Sequence, residues 1–221
     1  MIFGEIYEEL IENGANPQIL DGIFLMMTVY TAVFGIIALA LYILRAVGVF
    51  KMAGAAGIKR PWTAFIPVVN SYTFGKLAEK YTKRDGRKTG GFAAALITLN
   101  IAELLTGSLL AYFSLEAFSE ILENAVGVYE MSAEMTVDMF SSLVPVIMLY
   151  IIVMAVTVAY LVVFYVAQWR VFAVFDYGNA TLFTVLSVFF SFLSPIFLFI
   201  LRNRQPVFDP WENFRFMNQK L

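Results

Sequence analysis

Glu103 has the clearest potential for chemistry, because it is the only charged residue in an apolar run from Gly90 to Leu115. An acidic side chain near the middle of a membrane costs about 2.5–3.5 kcal/mol unless it is paired, hydrated or protonated. Asn100 and Thr106 lie three residues before and after Glu103, so they share its face of a helix. We therefore expect this polar stripe to turn away from lipid.

Two interpretations of the stripe stay open. In the first, Glu103 is a proton or cation site that faces a water-filled cavity. In the second, a protonated Glu103 forms a hydrogen bond to a neighbouring helix, with Tyr160 or Thr157 as its partner. The first interpretation predicts a transport function, and the second predicts a structural contact.

Basic residues form the second group with chemical potential. Ten of the chain's 15 Lys and Arg residues lie between Arg45 and Lys88, together with only two acidic residues. Each basic side chain close to an anionic membrane surface contributes about 1 kcal/mol to binding. The residues predicted to bind anionic lipid flank a short apolar stretch, and they are Lys59, Arg60, Lys76 and Lys80.

The same segment contains residues that interrupt helical backbone. Pro67 removes a backbone donor and disfavours helical geometry at Ile66, which predicts two short pieces, roughly Pro61 to Ile66 and Pro67 to Lys80. Neither piece can cross a bilayer alone. The segment is predicted to be either an interfacial helix or a re-entrant element that lines a polar cavity. The residues assigned to it are Gly54, Gly57, Pro61, Trp62, Pro67, Asn70 and Tyr72.

Several chemistries are excluded by residues that the chain lacks. It contains no His and no Cys, and therefore has no imidazole base, no thiolate nucleophile and none of the usual nitrogen and sulfur ligands of zinc. All five Asp residues lie in predicted tails or loops, so no pair of intramembrane aspartates is available. We expect no enzymatic activity, no catalytic residue, no metal site and no cofactor.

The composition predicts an all-α integral membrane protein with a single membrane domain. Apolar residues make up 60% of the chain and charged residues 14%, too apolar a balance for a soluble domain of this size. About four transmembrane helices are predicted, at residues 22–45, 90–115, 142–174 and 180–201. They are joined by an acidic N-terminal tail (1–21), the basic segment (46–88), an acidic external loop (116–141) and a C-terminal tail (202–221).

The charge distribution predicts the orientation of a multi-pass protein in the cell membrane. The positive-inside rule places the basic loop 46–88 in the cytoplasm, and the N-terminus and the loop 116–141 outside. Four crossings would place the C-terminus outside, although Arg202 and Arg204 follow the last span directly. A break at Ser194 and Pro195 would let the last segment turn back. Because membrane helices tolerate proline, we predict four full spans.

One motif runs through the basic segment and is followed by three later residues: Lys51, Ala53, Gly54, Pro61, Trp62, Ala64, Phe65, Ile66, Pro67, Asn70, Tyr72, Lys76, Phe175, Gly178 and Pro195. It resembles a family of small, uncharacterised bacterial multispan membrane proteins, a domain of unknown function. In that family a K-A-G-x-x-G segment leads through W-x-x-x-I-P-x-x-N-x-Y into further membrane helices. The resemblance implies a bacterial membrane protein and supplies no activity.

These observations predict a non-catalytic accessory or scaffold protein that binds anionic lipid or a partner membrane protein. The alternative is a subunit of an oligomeric transporter or channel that uses Glu103 as a proton or cation site. The expected partners are membrane lipids and either further copies of the chain or a different membrane protein. No nucleic acid partner is expected.

Overall fold

The computed structural model describes residue 11 and residues 16–83, 86–87, 90–126 and 133–211. Most of the predicted acidic N-terminal tail and the end of the C-terminal tail lie outside this range. Every regular element in the described part of the chain is helical, which confirms the all-α prediction. The chain divides into two units, residues 1–44 and residues 45–221.

The first unit holds the beginning of a long helix, α1 (Pro17–Ala55). Asn16 starts this helix, because its side-chain Oδ1 accepts a hydrogen bond from the backbone N–H of Gln18 at 2.9 Å. An Asn before the first turn and a proline at its first position favour helix initiation. Apolar side chains of the first unit are widely exposed, with Leu25 at 65% and Ile36 at 69%. Such an apolar surface is expected to face lipid.

Pro67 divides the basic segment, as predicted. A 3₁₀-helix (Pro61–Phe65) is followed by Ile66 in extended geometry and then by α2 (Pro67–Ala78). Both pieces begin with proline, whose missing N–H has no helical acceptor in the first turn. Seven of the twelve residues of α2 are buried, so this helix is packed into the second unit. A re-entrant position in the membrane stays a prediction.

Three helices are long and apolar enough to cross a membrane within the described residues. The first is α1, and the others are parts of α3 (Phe92–Val126) and α4 (Ala133–Phe175). The apolar parts run over Phe92–Ser119 and Leu143–Phe175. They correspond to three of the four predicted spans, and both helices continue into the predicted external loop.

The fourth predicted span is not confirmed as one helix. Residues 180–201 form α5 (Ala180–Phe189) and α6 (Leu193–Leu201), each about 15 Å long or less, which is half of the hydrocarbon core. The rings of Phe183 and Phe197 stack with their centroids 4.6 Å apart. Fourteen residues of continuous helix would separate them by about 21 Å. The two helices therefore fold back on each other as a hairpin.

The α5–α6 hairpin packs along the last turns of α4. The indole Nε1 of Trp169 donates a hydrogen bond to Thr181 Oγ1 at 3.2 Å. Tyr165 lies one turn earlier on α4, and its hydroxyl donates to the carbonyl oxygen of Ser187 at 3.2 Å. These two contacts show that α5 runs antiparallel to α4. The Tyr165 bond also satisfies one of the carbonyl groups that the end of α5 leaves free.

The C-terminal stretch, defined here as residues 202–211, returns to the end of α4. Arg204 forms an ion pair with Asp176 at 2.7 Å, and the N–H of Val207 donates to the carbonyl oxygen of Val174 at 2.7 Å. The N–H of Thr82 donates to the carbonyl oxygen of Phe208 at 2.8 Å. The chain therefore enters and leaves the hairpin at the same end of α4.

Two close backbone approaches hold the second unit together. A Cβ atom at Gly48 of α1 would lie 2.8 Å from the carbonyl carbon of Leu198 in α6. A Cβ atom at Gly75 of α2 would lie 2.6 Å from the backbone nitrogen of Ala93 in α3. Both distances are too short for a side chain. Around these contacts, the buried side chains of Phe74, Phe172 and Leu96 belong to one hydrophobic core.

Candidate functional site

Three of the four basic residues predicted to bind lipid line one pocket. Its volume is about 340 Å³, and its lining residues are Gly57, Ile58, Lys59, Lys76, Glu79 and Lys80. We call this the lysine pocket. Three ammonium groups and one carboxylate give it a net charge of +2. Arg60, the fourth predicted residue, does not line the lysine pocket and instead begins the 3₁₀-helix with a left-handed backbone at φ 62°.

The end of α1 brings Lys59 to this pocket. Gly57 has a φ of 68°. Its N–H donates a hydrogen bond to the carbonyl oxygen of Gly54 at 3.1 Å, and the N–H of Ile58 donates one to the carbonyl oxygen of Ala53 at 2.9 Å. This pair of bonds is the Schellman motif, in which glycine supplies the left-handed residue that ends a helix. Gly54 has open space where its Cβ would be, so no close contact requires glycine there.

Glu79 connects the lysine pocket to the start of α3. One carboxylate oxygen, Oε1, accepts hydrogen bonds from the N–H groups of Gly91 and Ala93, both at 3.0 Å. The other oxygen, Oε2, pairs with Lys76 Nζ at 3.0 Å. A carboxylate at a helix N-terminus satisfies backbone donors that the helix cannot bond itself, and it interacts favourably with the helix dipole. Glu79 was not predicted as a site residue, because its position at the end of α2 gave no signal of this role.

Glu79 and Lys76 each stabilise the charged form of the other. Burial acts to raise the pKa of Glu79, but the hydrogen bond from Ala93, the pairing with Lys76 and the bond from Gly91 lower it further than burial raises it, so the net pKa is below 4.5. The hydrogen bond to Glu79 and its negative charge raise the pKa of Lys76 above 10.5. Both groups are therefore charged across the physiological range.

Replacing Glu79 by glutamine is expected to lower the free energy of unfolding by about 1–2 kcal/mol, because charge-assisted bonds to α3 become neutral. Since the folded-state pKa of Glu79 lies below 4.5, its contribution is complete above that pH and is lost as the pH falls through the folded-state value. Thermal unfolding from pH 7 downwards measures this. The wild-type melting temperature should fall more steeply than that of Glu79→Gln, and parallel curves would contradict the assignment.

Asn70 fastens the 3₁₀-helix to α2. The side chain is buried, and its amide Nδ2 donates a hydrogen bond to the carbonyl oxygen of Ala64. A second link joins the hydroxyl groups of Thr63 and Thr73 at 2.7 Å. The sequence interpretation missed the two threonines, because ten residues and a proline separate them. These bonds give Asn70 a structural role at the bend around Pro67.

Exposed aromatic and apolar side chains lie on the 3₁₀-helix and α2, and one of them, Tyr72, lies next to a lysine of the pocket. Trp62 is 55% exposed and Tyr72 41% exposed, and the Lys76 ammonium lies 5.6 Å from the centre of the Tyr72 ring. Phe65 and Ile66 are also exposed. Trp and Tyr are typical of the membrane interface, so this arrangement combines a polar recess with a surface that suits lipid.

The structure places Glu103 against α4. Thr157 Oγ1 donates a hydrogen bond to Glu103 Oε1 at 3.3 Å, which is the interhelical contact of the second interpretation. Thr106 donates to the carbonyl oxygen of Ala102 in its own helix at 2.8 Å. The ring of Tyr160 stacks on Phe164 at 5.8 Å, and Asn100 is half-buried on α3. A proton or cation site at Glu103 stays a prediction.

Comparison with known protein families, with characterised proteins and with solved structures gives no match to this chain. The resemblance to a bacterial family therefore stays a prediction based on the motif alone. The described part of the chain combines three helices that are long and apolar enough to cross a membrane with a basic pocket in its second unit.

Proposed function

We propose that this chain is a non-catalytic membrane protein that binds an anionic phospholipid through the lysine pocket. The observation that carries this proposal is the convergence of Lys59, Lys76 and Lys80 on one recess of about 340 Å³. Lys59 lies in the turn between α1 and the 3₁₀-helix, Lys76 lies in α2, and Lys80 lies just beyond the end of α2. A net charge of +2 attracts a phosphate group, which accepts hydrogen bonds from ammonium donors.

The surroundings of the lysine pocket favour a lipid over a free phosphate. Tyr72 lies beside Lys76 and is exposed, as is Trp62 on the 3₁₀-helix. A phospholipid would place its headgroup in the recess and its acyl chains on this surface. The long apolar helices would place the chain in a bilayer, where such a lipid is abundant.

We also propose a three-span topology with a returning hairpin, which is consistent with lipid binding in the lysine pocket. In this topology α1, α3 and α4 cross the membrane, and the α5–α6 hairpin enters and leaves from the inner side. All 15 Lys and Arg residues then belong to inner segments or to the inner ends of helices, and the outer segments 1–21 and 116–141 contain none. The positive-inside rule favours this arrangement over four crossings, and it places the lysine pocket at the inner, anionic leaflet.

The test compares lipid retention by purified variants in native mass spectrometry, with phosphatidylglycerol and phosphatidylcholine as probes. The wild-type chain should retain phosphatidylglycerol preferentially. In the double variant Lys59→Ala/Lys80→Ala, affinity for that lipid should fall by about 30-fold, from about 1 kcal/mol per lysine. Lys76 is left in place because it pairs with Glu79.

The matched control is Lys51→Ala/Arg60→Ala, which removes the same charge from the same segment without altering the pocket lining. Its affinity for phosphatidylglycerol should fall by less than about threefold, because charges outside the recess are screened by water and salt. If the control loses as much affinity as the pocket variant, or if the wild type retains both lipids equally, the proposal is wrong.

A further inference from the structure

The lysine pocket carries more positive charge than one phosphodiester headgroup would balance. Its lining holds three ammonium groups and the carboxylate of Glu79, a net charge of +2. Glu79 is bonded to Lys76 and to the start of α3. Lys59 and Lys80 form no ion pair within the part of the chain that the structure describes. A phosphodiester such as phosphatidylglycerol carries one negative charge, and it would leave a second ammonium group unbalanced.

The lining also offers far more hydrogen-bond donors than acceptors. Each ammonium group supplies three donors and no acceptor. The carboxylate of Glu79 has little acceptor capacity left, because Oε1 accepts two backbone hydrogen bonds and Oε2 pairs with Lys76. Apart from the lysines, the other described lining residues are Gly57 and Ile58, whose side chains carry no polar atom. The pocket therefore suits a group of acceptor oxygens better than a headgroup with hydroxyl donors of its own.

Aromatic rings lie beside two of the three lysines. The Lys76 ammonium lies 5.6 Å from the centre of the Tyr72 ring, and the Lys80 ammonium lies 5.8 Å from that of Phe208. A cation within about 6 Å of a ring centre is attracted to the ring. Phe208 is itself held in place, because its carbonyl oxygen accepts a hydrogen bond from the N–H of Thr82. Two of the three cations are thus positioned before a ligand binds, which lowers the cost of binding.

We propose that the lysine pocket selects a phosphomonoester headgroup, as in phosphatidic acid, over the phosphodiester headgroups of other anionic phospholipids. This inference rests on the proposed function of the pocket. A phosphomonoester carries a charge of about −1.5 to −2 at pH 7 and presents three acceptor oxygens, so it matches the net charge and the three lysines of the lining. The volume of about 340 Å³ is at the lower end of ligand sites, about 300–1,000 Å³, which suits a compact headgroup.

The preference for a phosphomonoester should weaken at acidic pH because the ligand titrates. The titratable groups of the lining are Lys59, Lys76, Glu79 and Lys80. The pair of Glu79 and Lys76 stays charged across the physiological range, since each stabilises the charged form of the other. A phosphomonoester loses its second negative charge below its second pKa of about 6. Its advantage over a phosphodiester should disappear with that charge.

The experiment measures equilibrium binding of dioleoyl phosphatidic acid and dioleoyl phosphatidylglycerol to the purified full chain in neutral detergent, at about pH 8 and about pH 5.5, on either side of the second pKa of the phosphomonoester. The two lipids have the same acyl chains and differ only in the headgroup. At the higher pH, phosphatidic acid should bind about fivefold more tightly, the effect of one further charge contact. At the lower pH, the difference should be less than about twofold.

Lys59→Gln lowers the net charge of the lining from +2 to +1, and it should reduce the preference at the higher pH to less than about twofold. Arg60→Gln is the matched control, because it removes one charge from the next residue, which does not line the pocket. This variant should keep the wild-type preference for phosphatidic acid. Loss of the preference in Arg60→Gln to the same extent as in Lys59→Gln would overturn the proposal.

The remaining outcomes separate this inference from the proposed function. If the wild type binds both anionic lipids equally at the higher pH and phosphatidylcholine more weakly, the selectivity is overturned and the anionic-lipid site stands. Equal binding of all three lipids overturns both. Inorganic phosphate in large excess distinguishes a lipid from a soluble phosphate, and it should leave phosphatidic acid bound. Displacement of the lipid by inorganic phosphate would also overturn both.

Discussion

Gly48→Ala is expected to lower the free energy of unfolding by about 1–3 kcal/mol, the usual cost of forcing extra atoms into a packed interior. The added Cβ would lie 2.8 Å from the carbonyl carbon of Leu198 and 2.9 Å from its oxygen. Both are backbone atoms of α6, which cannot rotate away as a side chain can. The substitution should therefore separate α6 from α1 and loosen the α5–α6 hairpin.

Gly54→Ala provides a matched control in the same helix. Its Cβ would meet no atom within 4 Å, and alanine is favoured over glycine in a helix by about 0.5–1 kcal/mol. Thermal unfolding in detergent should show a lower melting temperature for Gly48→Ala and an equal or higher one for Gly54→Ala. Equal melting temperatures of Gly48→Ala and the wild type would show that α6 does not pack against α1 at this point.

The break at Pro67 was predictable from sequence, because the backbone restrictions of proline act locally. The 3₁₀-helix and α2 start at Pro61 and Pro67, where the sequence interpretation placed the starts of two short pieces. Lys59, Lys76 and Lys80 were predicted to share one role, the binding of anionic lipid, but their convergence on one pocket was not predicted. Their common pocket depends on the turn at Gly57, which sets the direction of the chain after α1.

The sequence interpretation weighed a returning last segment and predicted a full span instead, and the reason is physical. A run of 22 uncharged residues is long enough to cross a membrane, but its length does not decide whether it crosses or folds back to the side where it entered. The direction is decided by tertiary contacts such as the stacking of Phe183 on Phe197 and the bond from Tyr165 to Ser187. The sequence signals that favour a return are Arg202 and Arg204 after the last apolar run and the break at Ser194 and Pro195. The role of Glu79 was missed in the same way, since its partners lie twelve and fourteen residues later.

We expect the C-terminal stretch to lie on the same side of the membrane as the basic segment. Arg204 pairs with Asp176, and Phe208 accepts a hydrogen bond from Thr82. Residues 202–211 therefore lie at the end of the second unit that carries the basic segment. Four crossings would separate these groups by the thickness of the bilayer, about 30 Å. A three-span chain with a returning hairpin keeps them on one side.

The return of the α5–α6 hairpin to the side of the basic segment is tested most directly by labelling single cysteines with a membrane-impermeant maleimide, since the chain has no cysteine of its own. Gln205→Cys reports the C-terminal stretch, Arg60→Cys the basic segment, and Ser119→Cys the opposite end of α3, and all three positions are exposed. In intact cells and in inverted vesicles, Gln205→Cys should label in the same preparation as Arg60→Cys and in the opposite one from Ser119→Cys. Labelling of Gln205→Cys together with Ser119→Cys would contradict the returning hairpin and restore four crossings.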